Sequence, residues 1–358
     1  MKIEQVEIIP AVMIREDPTW RHALSRPGGE SDVQGFVVKV IADNGLVGLG
    51  YNHGSAHYGV SLGGLKGGLE AYAPLLEGKD PFNTEGIFGL LNSVLAGNNE
   101  AKAAIDIALH DLQAKALGVP LYALLGGPVR KEIPVIRILA LKAPEEMAAN
   151  ALKLVGQGYR YLKVKLDGNP GLDLDRVREV RKAVGDDIHL TVDANQSYFP
   201  KTAIDTLKRM QKYRIDLCEQ PVRADDRKGL SAVARAVDCM VEAHECASTL
   251  EDIFELVNGH VADGINLSIQ HLGGLQEAKT AAAICRLGNF FLRVQATGSR
   301  LLAAACMHFV AATANVSYAC ELGEFSRLLE DPFDGLEVEN GVLRVPSSPG
   351  LGVSLRNG

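Results

Sequence analysis

Lys165, Asp193, Glu219 and Glu245 are separated by 28, 26 and 26 residues, and each ends or follows a short apolar run in YLKVK, IHLTVD, IDLCE and CMVEAHE. Intervals this even match a repeating strand-and-helix unit. In a closed parallel barrel, the C-terminal ends of successive strands converge on one face. Three carboxylates gathered there would raise one another's pKa values unless a cation lay among them, and hard oxygen ligands with open positions suit Mg²⁺. Lys163 and Lys165 flank Val164, so the period of two puts both ammonium groups on one face, with Leu162 and Val164 on the other. Two lysines held side by side depress each other's pKa values, and a lysine so tuned is a usable base near neutral pH.

The elements that would position these groups are legible around them. Short apolar runs at 134–141, 161–165, 188–192, 215–218, 239–243, 264–268, 290–295 and 316–320 alternate with amphipathic helical stretches such as PEEMAANALKLV and LDRVREVRKAV. Eight such strands are the number that closes a TIM barrel. Ahead of them, KIEQVEIIPAVMI and FVVKVIADNGLVGLGY read as antiparallel strands, the second run broken by an Asn-Gly turn, and residues 69–117 read as helical. The polar stretch 15–32 between those strands is a long loop. A second Asn-Gly hairpin, in VENGVLRV, is expected to return to the first domain's sheet. The expected division is an α+β domain over 1–125, joined by 330–358, and a barrel over 126–329.

Composition narrows the function classes. Among 358 residues, 47% are apolar, and 44 acidic residues face 37 basic ones for a net charge of -7, with no long Lys/Arg run, which argues against nucleic-acid or anionic-membrane partners. No apolar run reaches the roughly 18–20 residues of a membrane span. The first ten residues, MKIEQVEIIP, do not have the form of a signal peptide, which points to the cytoplasm. Cys218, Cys239, Cys246, Cys285, Cys306 and Cys320 form no CxxC pair and read as reduced packing thiols. Strand alternation turns Cys218 and Cys320 away from the carboxylates beside them.

AIDIALHDLQAKALGVPLYALLGG, YLKVK, TVDAN, CEQPV, AHECAS, the LGG at 272–274 and the closing PGLGVSL together make the chain resemble the enolase superfamily, in its mandelate racemase and muconate lactonizing enzyme branch, over essentially its whole length. The resemblance implies a modified (β/α)7β TIM barrel under an N-terminal α+β capping domain, one Mg²⁺ and abstraction of the proton α to a carboxylate of a small molecule. A homo-oligomer is the expected assembly. By motif, Asp193, Glu219 and Glu245 would be the metal ligands. Lys165 would be the base, with Lys163 adjusting its pKa and touching the substrate carboxylate. Asn195 is a polar neighbour, and Glu321 stands where such members carry a protonated carboxylic acid that binds the substrate carboxylate.

The departures bear on the reaction. Ser268 falls where these members commonly place a second catalytic group at the end of the sixth strand, and Gln295 to Thr297 fall at the end of the seventh. Neither Ser nor Gln is a useful base, so a one-base reaction is expected: dehydration of a sugar acid or other hydroxy acid, with a cycloisomerase or an epimerase as the alternative, and a non-catalytic metal-binding homologue as a third reading. His271, three residues past Ser268, is a possible second acid/base. His244 is expected behind the metal ligand Glu245, and His308 in the core. Substrate contacts are expected from Trp20, Arg21, His22 and Arg26 in one loop and from Tyr51, His53, His57 and Tyr58 in another.

Overall fold

The computed structural model describes residues 1–25 and 31–356; Arg26 and the side chain of His57 lie outside the described residues. The chain opens with three antiparallel strands, β1 (Ile3–Arg15), β2 (Asp32–Ala42) and β3 (Val47–His53), followed by helices α1 (Leu62–Leu76), α2 (Thr84–Val94) and α3 (Asn99–Ala116). Nearly every side of α3 is buried, because it packs on this sheet with one face and on the barrel with the other. The contact with the sheet requires glycine: a Cβ on Gly48 or Gly50 would stand 2.1 Å from Ala108 O or 1.9 Å from Ala104 O. Two polar groups of α3 tie the domains together. Asp111 accepts the amides of Leu49 and Leu351 at 2.9 and 2.8 Å, and Asp106 accepts that of Leu275.

From Ile136 onward, seven parallel strands pair in chain order: Ile136–Leu139, Tyr161–Lys165, His189–Asp193, Ile215–Glu219, Met240–Ala243, Gly264–Ser268 and Phe291–Gln295. They are close to the runs expected from the sequence, since strands buried on both faces read as short continuous apolar segments. The eighth position is filled by the segment 316–321, which bridges the seventh strand (Leu292↔Val316, Gln295↔Glu321) and the first (Val135↔Cys320). Three of the outer helices start on a proline at their first turn, Pro144, Pro170 and Pro200, where the missing amide costs nothing. No helix among the described residues is long and apolar enough to cross a membrane.

The closing hairpin departs from expectation. Val338–Glu339 pairs with Val342–Arg344, and the latter pairs with Glu132–Pro134 at the barrel's N-terminal end, not with the first domain's sheet. The reason lies in the turn. Asn340 and Gly341 both have positive φ (50° and 74°), Val135 N donates to Gly341 O, and a Cβ on Gly341 would meet Gly158 O at 2.8 Å, so the turn seats against the barrel backbone. The fourth strand of the capping sheet is Leu328–Leu329, which pairs with Ile14 and Arg15. The link from the C-terminus to the capping domain is made by Gly350 O, which accepts from Leu121 N, and by the Leu351–Asp111 bond.

Candidate active site

Register across the barrel sets the site. Lys165 pairs with Asp193, Asp193 with Glu219, and Glu219 with Glu242, so these side chains stand side by side on the inner face at the strands' C-terminal ends. Beyond the third strand the chain turns through Asn195 (φ 40°) and Gln196 (φ 67°), left-handed conformations that a non-glycine residue adopts only when its surroundings impose them. Here they do. Asn195 N donates to Asp193 Oδ1 at 2.8 Å, and Gln196 N to Gln220 O at 2.8 Å. The turn delivers the Asn195 amide between two predicted site residues: Oδ1 accepts from Lys165 Nζ at 2.9 Å, and Nδ2 donates to Glu245 Oε1 at 3.1 Å. Lys165 Nζ also bonds Asp193 Oδ2.

Lys163, two residues deeper, has a different environment. It donates to Glu219 Oε2 at 2.7 Å and to both oxygens of Glu321 at 2.8 and 2.9 Å, with Asp193 Oδ2 at 3.2 Å. Burial alone would lower its pKa, but Asp193, Glu219 and Glu321 outweigh burial and hold it well above the usual lysine range. For Lys163 this corrects the expected depression by a neighbouring lysine: the carboxylates are the nearer neighbours. Glu219 shows the converse. Burial pushes its carboxyl up, and Lys163, His244 and Arg293 together hold it well below the usual range.

Glu321 accepts from Lys163, from Asn266 Nδ2 and from Arg293 Nη2, the last two at 3.0 Å, and lines the cavity above them.

Arg293 and Glu242, neither of them singled out in the sequence, form the floor of this network. Arg293 is fully buried and bonds Glu242 through Nε (2.8 Å) and Nη2, Glu219 at 3.0 Å and Glu321 at 3.0 Å. The available signal was a charge at an inward position of a doubly buried strand, FLRVQ, since a buried charge needs a partner.

The donor set fits a divalent cation in charge and in chemistry. Five buried acidic side chains (Asp193, Glu219, Glu242, Glu245, Glu321) gather with three buried basic ones (Lys163, Lys165, Arg293), a formal excess of two acidic groups. Glu245 Oε2 is buried without a hydrogen-bond partner among the described residues. Burial raises that carboxyl's pKa; His244 opposes the rise, while facing Asp193 and Glu219 add to it, the condition a cation relieves. Among the described residues no three His, Cys, Asp or Glu side chains converge on one point. Asp193 and Glu219 meet at Lys163 instead.

Above these groups lies a cavity of about 740 Å³, lined from the barrel by Lys163, Lys165, Asn195, Glu219, His244 and Gln295, and from the capping domain by Trp20, His22, His53 and Tyr58. The first loop is fastened to the barrel by Leu141 N, which donates to Arg21 O; Arg21 itself is exposed. Trp20 carries the Arg15 guanidinium over its ring at 4.4 Å. Tyr51 does not line the cavity. It lies two residues back along β3, fully buried, with its ring edge-on to Phe333. Close approach there needs Gly298, where a Cβ would meet His53 Nδ1 at 3.1 Å.

On the side facing Lys165 across the barrel, the end of the sixth strand offers Ser268, whose Oγ accepts from Gln295 Nε2 at 3.0 Å. His271 lies in the short helix Ile269–Leu272, buried and outside the cavity lining, with Nδ1 3.0 Å from Glu100 Oε1. Burial lowers its pKa. His244 is on the inward parity of the fifth strand and lines the cavity, so it is nearer the site than the sequence suggested; its Nε2 bonds Tyr58 Oη and lies 4.0 Å from Glu219 Oε1. Cys218, Cys320 and His308 are buried as expected, His308 between Tyr122 N and Leu351 O.

Residues 146–358 match the family described as enolase C-terminal domain-like, and residues 11–126 match the mandelate racemase/muconate lactonizing enzyme N-terminal domain. A hydrophobic dipeptide epimerase from Enterococcus faecalis is 33% identical over 358 residues, covering 99% of this chain and 100% of that one. A chloromuconate cycloisomerase from Delftia acidovorans is 32% identical over 376 residues, covering 99% and 97%. The solved dipeptide epimerase from Enterococcus faecalis, complexed with Mg and the dipeptide L-Leu-L-Tyr, has a TM-score of 0.94 at 32% identity, covering 99% of this chain and 100% of that one.

Proposed function

The chain belongs to the enolase superfamily, in its mandelate racemase and muconate lactonizing enzyme branch, and from that premise we propose that it is a one-base enzyme that dehydrates a small hydroxy acid. Lys165 takes the proton α to the carboxylate. The electron pair left on carbon spreads into the carboxylate and then expels a β-hydroxyl, which leaves as water with a proton from solvent, while Lys165 returns the proton it took to solvent. Asn195 orients Lys165 through its Oδ1. Lys163, fixed among three carboxylates, stays charged and offers a positive neighbour to the substrate carboxylate. Mg²⁺, held by Asp193, Glu219 and Glu245, would place further positive charge beside the carboxylate as negative charge accumulates there.

The observation that carries this reading is the Ser268–Gln295 pair at the sixth and seventh strand ends. Two-base epimerisation needs a second proton-transfer group on the opposite face of the substrate, and a hydroxyl bonded to an amide is a poor one. Cycloisomerisation is the second reading. It also uses a single base, and the full-length match to a chloromuconate cycloisomerase favours it. Incubation in D₂O with sugar acids, other hydroxy acids, amino-acid derivatives and lactones tests the proposal by NMR. A keto acid formed through the enol from a 2,3-dihydroxy acid, or an unsaturated acid from a 3-hydroxy acid, is expected. Deuterium incorporated with inversion at Cα, and no elimination, would overturn it.

A further inference from the structure

Asp173 is a fully buried acid that the proposed reaction does not use. It stands in the first turn of the helix Pro170–Val184, and its carboxylate joins separate segments of the barrel mouth. From the loop that follows Lys165, Asp167 N donates to Oδ1 and Gly168 N to Oδ2, both at 3.1 Å. From the loop that follows Asp193, the buried Tyr198 donates its hydroxyl to Oδ2. Arg176 Nη1 donates to Oδ1 at 2.7 Å, and Arg176 Nε donates to Lys142 O at 3.1 Å, which brings in the loop beyond the first strand.

Lys165 lies two residues before Asp167, and Asn195 three before Tyr198. The left-handed pair Asn195–Gln196 costs energy and persists only where the contacts on either side overdetermine it. Tyr198 is the downstream contact: its N donates to Pro221 O at 3.1 Å, and its hydroxyl reaches across to Asp173. The two loops also meet backbone to backbone, since a Cβ on Gly168 would stand 2.7 Å from Ser197 O. Anchoring the helix would need only the amides of its own approach, Asp167 and Gly168. The phenol from the neighbouring loop adds nothing to the helix and fastens one loop to the other. Burial makes that fastening stiff, because water is not there to replace a lost donor. We propose that Tyr198 and Asp173 are positioning residues for the Lys165–Asn195 pair: their hydrogen bond locks the two loops at one spacing and so sets where Lys165 Nζ stands relative to the substrate's α-carbon. The inference rests on the reading of Lys165 as the base.

Tyr198→Phe keeps the buried ring and removes the hydroxyl. Amide hydrogen exchange of the substrate-free protein, followed by mass spectrometry, is expected to quicken about fivefold to tenfold in segments 166–169 and 194–199 together, and to stay unchanged in the helix Leu275–Leu287. Acceleration in one segment without the other, or in neither, would overturn the proposal. Rates are read on the member of the sugar-acid and hydroxy-acid panel whose α-proton exchanges fastest in D₂O with Mg²⁺ supplied. There kcat for exchange should fall at least about tenfold, while KM and the calorimetric Mg²⁺ affinity stay within about threefold, since a displaced base loses rate and not binding. A lowered urea midpoint with kcat unchanged would make the bond merely structural and overturn the positioning role. In the Asp173→Ala background the phenol has no carboxylate to meet, so adding Tyr198→Phe should slow exchange no further; a second tenfold loss would overturn the pairing. A wild type that exchanges the α-proton of no acid in the panel would refute the proposed reaction, and the paired loop exchange alone then decides the clamp.

Discussion

Replacing Arg293 with Met should strand one buried carboxylate, and the hydrogen bonds say which. Glu219 and Glu321 keep Lys163 and Asn266 as donors, whereas the basic partner of Glu242 is Arg293, its other hydrogen-bonding neighbour being the Glu219 carboxyl. Both members of the pair are fully buried. Removing one partner of a buried ion pair typically costs about 3–5 kcal/mol, because the remaining charge is left uncompensated. The same logic makes Glu242→Leu in the Arg293→Met background less damaging than Arg293→Met alone, by about 1–2 kcal/mol, since the stranded charge is gone.

A pH dependence follows as well. Burial pushes the Glu242 carboxyl well above its ordinary value, with Arg293 opposing the rise and Glu219 reinforcing it; removing the arginine leaves it higher. A folded-state pKa raised above the unfolded one gives stability that is fully present below the unfolded value and is lost as pH rises. The deficit of Arg293→Met should therefore be smaller at pH 5 than at pH 8. Equilibrium urea unfolding, followed by circular dichroism at both pH values, measures all three quantities. A loss below about 1 kcal/mol, or a double variant no more stable than the single one, would refute the assignment of Glu242 as the dependent partner.

Lys165→Met should abolish α-proton exchange in D₂O while Mg²⁺ affinity by calorimetry changes less than about threefold, because removing a base leaves the carboxylates in place; retained exchange would exclude Lys165 as the base. Ser268→Lys puts an amine at the sixth strand end, and the variant should invert at Cα as it exchanges, where the wild type exchanges without inversion; unchanged stereochemistry by NMR would count against the one-base reading. His308 accepts from Tyr122 N through Nδ1 and bonds Leu351 O through Nε2, so only the neutral ring serves both, and burial drops its pKa to about 4. The unfolded chain then takes up this proton first as pH falls from about 6.5 toward 4, and wild-type stability at pH 5 should be about 2 kcal/mol below that at pH 7.5 from this group; His308→Gln should flatten that slope in urea unfolding.

The barrel was legible because its strands are buried on both faces: YLKVK and GINLS coincide with the observed Tyr161–Lys165 and Gly264–Ser268. The carboxylates at 193, 219 and 245 were legible because one strand-and-helix unit repeats between them. What periodicity carried poorly was depth. Tyr51 and His53 share a face of β3, but only the residue at the strand's end reaches the cavity. Alternation placed His244 behind Glu245, yet His244 takes the inward side, following Glu242, and lines the cavity. The hairpin at 338–344 had the right turn chemistry, but which sheet edge it meets is a property of the assembled barrel, and no local pattern encodes it.

Depth also separates the two lysines. Alternation along YLKVK makes Lys163 and Lys165 equivalent, and a one-dimensional reading assigns them a shared, mutually lowered pKa. They are about 7 Å apart along the strand. That interval moves Lys163 down to the level where Glu219, Glu321 and Asp193 surround it, and leaves Lys165 at the mouth with Asp193 and the neutral Asn195 amide. A lysine among three carboxylates holds its proton and acts as a fixed charge. That difference in surroundings supports the base role proposed for Lys165. Arg293 contributes to that difference from below, because by holding Glu219 and Glu321 in place it keeps Lys163 enclosed.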